Sequence, residues 1–395
     1  MFLIPGMYPR PTLALGLACL VAASTLSAAP ALTKIADRLI YRDDRYYSSF
    51  PSIVHRPDGE LLVAFRRAPE RRFLYGAAQH THSDANSQLM LVRSSDSGRS
   101  WTREPELIYA HPLGGSQDPC MVQLTDGSIL CTSYGWTFLN PPEIARLKPG
   151  TRVPRNGFVT LGGYILRSLD GGHSWQSPII PIPAEGEESL DVFGRPKPGA
   201  ARGAMCEGAD GRLYWVVQAS AGKPTPRGET HLLISADKGN TWKYSCRVAS
   251  DPKISFNETS LYETPKGDLV AFTRTADFDG HLVVARSTDH GKSFRPWEDT
   301  GFRGYPAHAT RLPDQRVLLV YGYRFPPYGI RARVLNAECT DIATAPEVVL
   351  RDDGGTTDLG YPWVTMISRD RALVVYYFNR DDGIRTIEST ELEIR

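Results

Sequence analysis

Apolar residues along the chain come in short runs, each broken by a turn and answered by a second run. Clear cases are SIVHRPDGELLVAF, MVQLTDGSILCTSY and SLYETPKGDLVAFT. Their flanks are rich in β-branched and aromatic residues, and their centres hold Asp-Gly or Lys-Gly, the composition of two strands joined by a tight turn. The pattern recurs around Pro57-Asp58-Gly59, Asp126-Gly127, Asp210-Gly211, Lys266-Gly267, Pro313-Asp314 and Ser368-Arg369-Asp370. Six inner hairpins are thereby predicted.

A second repeat lies between the hairpins. Ser94-Ser95-Asp96-Ser97-Gly98-Arg99-Ser100-Trp101 reads S-x-D-x-G-x-S-W; the pattern returns at Ser168–Trp175, at Ser235–Trp242 and, with Phe for Trp, at Ser287–Phe294. A short apolar strand (LMLV, YIL, HLLI, HLVVA) precedes each copy. Asp would accept backbone N–H bonds inside the turn, Gly would supply positive φ, and the aromatic ring would pack back on the hairpin. The aspartates Asp96, Asp170, Asp237 and Asp289 are 74, 67 and 52 residues apart, roughly one four-stranded blade with its loops. The units 304–350 and 356–395 keep the hairpin but lack this turn. The strand LTKIADRLIY has no hairpin of its own, so 33–42 is expected to pair beside the strands of 360–393 and close the sixth blade. The predicted fold is all-β: a six-bladed β-propeller with four-stranded blades and Asp-box turns, one domain over 32–395.

The first thirty residues differ. Arg10 precedes an apolar run from Leu13 to Ala23, then small residues through Ala29, which describes a secretory signal peptide over 1–29 cut between Ser27 and Ala31. Gly16-Leu17-Ala18 before Cys19 is a poor lipobox. A secreted or periplasmic protein with no membrane-spanning segment is expected. Five cysteines remain after Cys19, an odd count that is no disulfide framework; Cys120 and Cys131 either pair across a hairpin or stand as buried thiols. With 45 Lys+Arg against 44 Asp+Glu, charge gives no reason to invoke nucleic acid as a partner. No metal constellation appears, no cofactor is expected, and a monomer is the simplest assembly.

Four Asp boxes on a six-hairpin chain resemble the sialidase superfamily of BNR/Asp-box propellers. The boxes themselves are structural, since they also occur in non-catalytic propellers. In sialidases a Tyr nucleophile is assisted by Glu, an Asp serves as acid/base, and three arginines grip the sugar carboxylate; a carboxylate nucleophile would repel that substrate. On the resemblance, Glu258 in Asn257-Glu258-Thr259 matches the partner Glu and Arg274 a carboxylate-binding Arg, although a plain ion pair across the hairpin is the alternative. Tyr361, in Gly360-Tyr361-Pro362, matches the nucleophile, with Pro362 where sialidases often have Ser. Asp84, nine residues before Arg93, matches the acid/base. Arg324 is another candidate carboxylate-binding Arg, with Arg331 behind it. Asp118 in Asp118-Pro119 and His308 in Pro306-Ala307-His308 occupy corresponding axial places and are candidate lining residues. The pattern breaks at Ser49-Phe50-Pro51, where sialidases have Arg-Ile-Pro. One arm of the triad is absent unless Arg45, Arg66 or Arg67 reaches in.

These matches imply an exo-acting, retaining glycoside hydrolase on a carbohydrate substrate, an acidic sugar other than sialic acid being favoured by Ser49. The rivals are a non-catalytic glycan- or protein-binding propeller and a propeller polysaccharide lyase with Tyr361 or His308 as base.

Overall fold

The computed structural model describes residues 1–2, 31–72, 82–153, 157–221, 227–380 and 382–395. The segment proposed as a signal peptide lies almost wholly outside them. From residue 31 on, the chain forms six sheets around one axis. The first blade holds Tyr46–His55, Leu61–Pro69, Gln88–Ser94 and Glu106–Tyr109. The second holds Gly115–Gln123, Ile129–Phe138 and Phe158–Ser168, its fourth position marked by the single bridge Ile165↔Ile179. Cys206–Glu207, Leu213–Ala221, Arg227–Ser235 and Lys243–Ala249 make the third, and Ser255–Glu263, Leu269–Ala276, His281–Ser287 and Glu298–Arg303 the fourth. Tyr305–Arg311, Val317–Tyr323, Gly329–Leu335 and Glu347–Arg351 make the fifth. The sixth takes Gly360–Met366, Arg371–Asn379 and Arg385–Ile394 from the C-terminus and Leu32–Tyr41 from the N-terminus, with Leu32 opposite Ile394 and Tyr41 opposite Ile387. The closure expected for 33–42 is therefore present. Among the described residues no helix is long and apolar enough to cross a membrane.

The apolar runs of the second strands follow from this geometry. A blade is covered on both faces, so its middle strands need not alternate. In Leu61-Leu62-Val63-Ala64-Phe65 every side chain is buried. Leu61, Val63 and Phe65 pack with Leu373 and Val375 of the sixth blade, while Leu62 and Ala64 pack with Met121 and Cys131 of the second. The same two-way packing holds Leu130 and Ile165 to the third blade and Val317 and Leu319 to the fourth. Cys120 and Cys131 divide along this line. Cys131 pairs with Met121 and Cys120 with Thr132, so the two thiols face different interfaces, and both are free and buried.

The Asp boxes fasten blade to blade. In the first, the Ser94 hydroxyl donates to Asp96 (2.8 Å) and accepts from the Gly98 N–H (2.9 Å), while Asp96 accepts from the Ser100 N–H (2.9 Å) and hydroxyl (2.6 Å). The boxes at 168, 235 and 287 repeat this set. Gly98 has φ +83°, and a Cβ there would come within 2.8 Å of Leu373 in the neighbouring blade. Arg93 of the first blade donates to the Gly171 carbonyl of the next box (3.0 Å), and Arg167 of the second to the Lys238 carbonyl of the third. The fifth blade, with no Asp box in its sequence, keeps a related turn: Asn336 accepts from the N–H groups of Glu338 and Thr340, both at 3.1 Å.

Hydroxyl and backbone donors hold the box carboxyls low: the Ser100 hydroxyl and N–H bring Asp96 to about 2, and Ser293 brings Asp289 to about 2. A folded value below the ordinary 3.8 stabilises the fold above pH ~4 and loses that contribution as pH falls towards 2. Asp96→Asn and Asp289→Asn should therefore lower Tm at pH 6, with the gap from the unmodified protein closing as the melts are taken down to pH 2.5. A gap independent of pH would show that the carboxylate charge does not matter.

Candidate functional site

Inner strands begin at one mouth of the axis, and five of the six carry a bulge there: between Ser49 and Ser52, Gln117 and Cys120, Phe256 and Thr259, Tyr305 and Ala307, and Gly360 and Trp363. A bulge breaks the ladder and re-aims a side chain. At three of them a residue before proline has positive φ: Phe50 (+57°), Asp118 (+28°) and Tyr361 (+54°). Proline and the Cβ both disfavour this, at a cost of about 1–3 kcal/mol each.

Arg202 holds two of these steps. It enters from the third blade, buried, and donates to the carbonyls of Phe50 (3.2 Å), Pro51 (2.8 Å) and Tyr361 (3.1 Å). Its guanidinium also lies 4.7 Å from the Tyr361 ring centre and 5.6 Å from that of Trp363. The backbone beside it is tight, since a Cβ on Gly203 (φ +145°) would meet the Thr259 carbonyl oxygen at 1.8 Å. Sequence reasoning passed over Arg202. The available clue was a lone Arg amid small residues, Gly199-Ala200-Ala201-Arg202-Gly203-Ala204, where an inner strand should start.

Above this pin sit Tyr361, Glu258 and Arg274. The Tyr361 hydroxyl donates to Glu258 Oε1; Arg274 Nη1 donates to Glu258 Oε2 (2.6 Å) and to the Tyr361 oxygen (2.9 Å). Arg324 lies 5.0 Å from the Tyr361 ring centre and donates to the Leu359 carbonyl (3.0 Å) and the Tyr377 hydroxyl (2.8 Å). Burial would raise the Glu258 carboxyl, but the charge and hydrogen bond of Arg274, the Tyr361 hydroxyl and Arg324 outweigh it and hold it below its ordinary value. Burial and the Glu258 charge push the Tyr361 hydroxyl well up, against Arg274 and Arg324. The arrangement is a neutral phenol bonded to an anionic acceptor, with guanidinium charge beside both.

The other sequence candidates fall in different places. Asp118 is buried, and its charge is felt at Tyr361; Tyr134 donates to one of its oxygens (2.6 Å), while the other has no hydrogen-bond partner among the described residues. Burial raises its carboxyl, opposed by Arg202. Asp84 is buried against Arg71, which donates to it twice (2.5 and 3.2 Å), with the Asn86 N–H at 2.7 Å. Ser49 is fully buried and stands opposite Arg66 across the ladder. Of the three arginines considered for the missing arm, Arg45 is exposed on Asp43 and Arg67 stacks on Tyr46. Arg66 is buried over the rings of Tyr47 and Phe50, in the field of Asp84 and Asp118. Arg331 is buried on the Pro327 and Arg351 carbonyls. His308 lies beneath the site, stacked 4.2 Å from Trp363 and accepting the Val364 N–H at Nδ1 (3.3 Å); burial and Arg202 bring it down to about 3. Among the described residues no three His, Cys, Asp or Glu side chains converge to hold a metal.

Residues 151–370 match the family described as BNR repeat-like domain. A crystal structure of a protein of unknown function from Dyadobacter fermentans is 54% identical, with a TM-score of 0.90 over 93% of this chain and 100% of that one. The NanB sialidase from Streptococcus pneumoniae is 15% identical, with a TM-score of 0.61 over 90% of this chain and 70% of its own. A Trypanosoma rangeli sialidase in complex with sialic acid is 14% identical, with a TM-score of 0.57 over 92% and 59%. At such identities the two sialidases share the fold. No curated protein matches the chain.

Arg202→Met removes three bonds from a charged donor to buried carbonyls, two of them on strained residues. It should lower the unfolding free energy by on the order of 3 kcal/mol, read from urea titration. An unchanged midpoint would mean that other donors serve those carbonyls.

Proposed function

The chain belongs to the BNR repeat-like domain family, and on that premise we propose that it is an exported, exo-acting, retaining glycoside hydrolase acting on an acidic sugar. The observation that carries the reading is the Tyr361 hydroxyl bonded to Glu258 with Arg274 on both. A propeller that only binds glycan has no need to pair a phenol with a carboxylate kept anionic. The lyase reading has less support at His308, whose Nδ1 accepts the Val364 N–H and whose ring stacks on Trp363.

In the proposed reaction the Tyr361 oxygen attacks the anomeric carbon while Glu258 takes its proton. The bond to the leaving oxygen breaks as Asp84 protonates it. Asp84 then takes a proton from water, which attacks the same carbon; Tyr361 departs and regains its proton from Glu258, with net retention. Arg274 and Arg324 supply charge for an anionic group on the sugar. Ser49 leaves no first arginine at its place, and Arg66, opposite it across the ladder, lies over the Tyr47 and Phe50 rings. Losing one charge-assisted bond of ~1.5–3 kcal/mol lowers turnover of a simple sialoside ~10–150-fold at 1.4 kcal/mol per tenfold.

A second reading of the proton donor rests on one contrast: Asp118 has a raised carboxyl and an oxygen with no hydrogen-bond partner among the described residues, whereas Asp84 is held by Arg71. Asp84→Asn and Asp118→Asn separate the two. The donor's variant should lose activity on natural linkages yet retain it on aryl glycosides whose leaving group needs no proton.

Incubation with a panel of sialosides, uronides and neutral aryl glycosides, with product analysis, tests the reading itself. Tyr361→Phe and Glu258→Gln should each cost at least ~100-fold in kcat, the range of acid–base and nucleophile losses, and Glu258→Gln should also lower Tm, because it leaves Arg274 without its carboxylate. Because Glu258 must be anionic and sits below its ordinary 4.5, the acid limb of kcat/KM should fall below pH 4.5. Turnover of no glycoside in the panel, or full activity in Tyr361→Phe, would sink the proposal.

A further inference from the structure

The end of the propeller away from the mouth carries a break in the pattern that fastens blade to blade. In the first, second and fourth blades the residue before the Asp-box serine is an arginine that donates to a carbonyl in the turn of the next blade: Arg93 to Gly171 (3.0 Å), Arg167 to Lys238 and Arg286 to Glu338 (2.6 Å). Ile234 and Val334 hold this place in the third and fifth blades. In the sixth, the hairpin closes from Ile367 to Arg371 as the first closes from Arg56 to Glu60, which sets Leu373 at the place of Leu62. Arg93 stands opposite Leu62, and Glu391 opposite Leu373. The sixth blade thus has a carboxylate where three others have a guanidinium, and a carboxylate cannot donate to the turn beside it. Ser97, which corresponds to Gly171, accepts no hydrogen bond at its carbonyl among the described residues. A cavity of about 410 Å³ lies there, between Glu391 and the first Asp box. Arg38 donates to one Glu391 oxygen (2.6 Å) and Arg371 to the other (3.4 Å), so one carboxylate serves two guanidiniums. Arg99 lines the same cavity from the box, exposed and paired with no carboxylate among the described residues.

We propose that this cavity is a second, non-catalytic carbohydrate site, which takes one acidic sugar unit of a polysaccharide with its carboxylate or sulfate on Arg99 and Arg371. Three guanidiniums against one carboxylate leave the lining positive, and guanidinium is the side chain whose donors match the oxygens of such anions. Glu391 and the Ser97 carbonyl are acceptors for sugar hydroxyls, which an inorganic anion does not bring. Ile35 and Ile367 add an apolar wall for the C–H face of the ring. The volume lies in the range of small-molecule sites. The site is independent of the chemistry at Tyr361. That residue stands at the start of the strand Gly360–Met366, and Ile367 follows its other end. A polymer held here would anchor the protein without occupying the mouth.

The test is calorimetric titration of the Tyr361→Phe protein, so that no turnover disturbs it. The probes are trigalacturonate, a sulfated carrageenan tetrasaccharide and neutral galactotetraose. At least one acidic probe should bind and the neutral one should not; which acidic probe binds identifies the acid as carboxylate or sulfate. Arg99→Ala should raise the Kd tenfold or more. Glu391→Arg, which puts into the sixth blade the arginine of the first, second and fourth, should fill the cavity and abolish binding. Should Glu391→Arg lower Tm, Arg99→Ala alone decides, since Arg99 is exposed. Arg274→Ala, in the mouth, should leave this binding unchanged. The proposal fails if neither acidic probe binds, or if binding survives Arg99→Ala. It also fails if binding is lost only in Arg274→Ala, which places it in the mouth, or if Arg146→Ala, an exposed arginine elsewhere, weakens it as much, which makes it diffuse charge attraction.

Discussion

A guanidinium buried at the axis must find acceptors, and Arg202 finds three backbone carbonyls on two other blades. The rest of the mouth depends on this. Phe50 and Tyr361 hold positive φ before proline, a conformation each would leave if free. Their own carbonyls are the ones Arg202 binds, so the charge that needs acceptors also fixes the strained steps. Asp118, the third such step, feels the same charge. The Tyr361 side chain is thereby aimed at Glu258 by backbone that has few alternatives.

What was legible in the sequence was local. An Asp box closes within eight positions, and its Ser, Asp and Gly are chosen by bonds inside that turn, so four copies could be read directly. The strand 33–42 was legible by subtraction, because it lacked a partner hairpin. Glu258, Arg274 and Tyr361 were reached through resemblance, since nothing local tells residue 258 that residue 361 will approach it. Arg202 was not reached at all: its partners are carbonyls, which carry no side-chain signature, and the glycine and alanines around it read as a turn. The fifth-blade turn was missed for a related reason, Asn336 accepting there in place of the box residues.

Charge in the mouth is segregated from blade to blade. Arg274 and Arg324 stand by Tyr361 and Glu258, while Arg66 and Arg71 stand by Asp84 on the first-blade side. At the Tyr361 hydroxyl these two guanidiniums oppose the charges of Glu258 and Asp118; on the proposed hydrolase reading they would face an anionic sugar and stabilise the phenolate when the glycosyl bond to it breaks. Arg274, with the Tyr361 hydroxyl and Arg324, keeps Glu258 low despite burial.

Asp358 completes the support from below the Tyr361 loop. It is three residues from Tyr361 and takes hydrogen bonds from the hydroxyls of Tyr47 and Tyr377, each at 2.9 Å, and from Arg385 at 3.0 Å, with His82 3.5 Å away. Burial opposes its charge, but His82, Arg385 and Arg324 prevail and hold it far below its ordinary value. Tyr47 belongs to the first blade and Tyr377 to the sixth, so this carboxylate ties together the two blades that Arg202 pins from the axis. Tyr377 in turn accepts from Arg324, which places one carboxylate two bonds from an arginine beside the phenol. A loop fixed at its carbonyl by a cation and at its base by an anion cannot shift toward either without unpairing a buried charge. That two-sided constraint is why a residue with positive φ before proline can serve as the best-positioned group in the mouth.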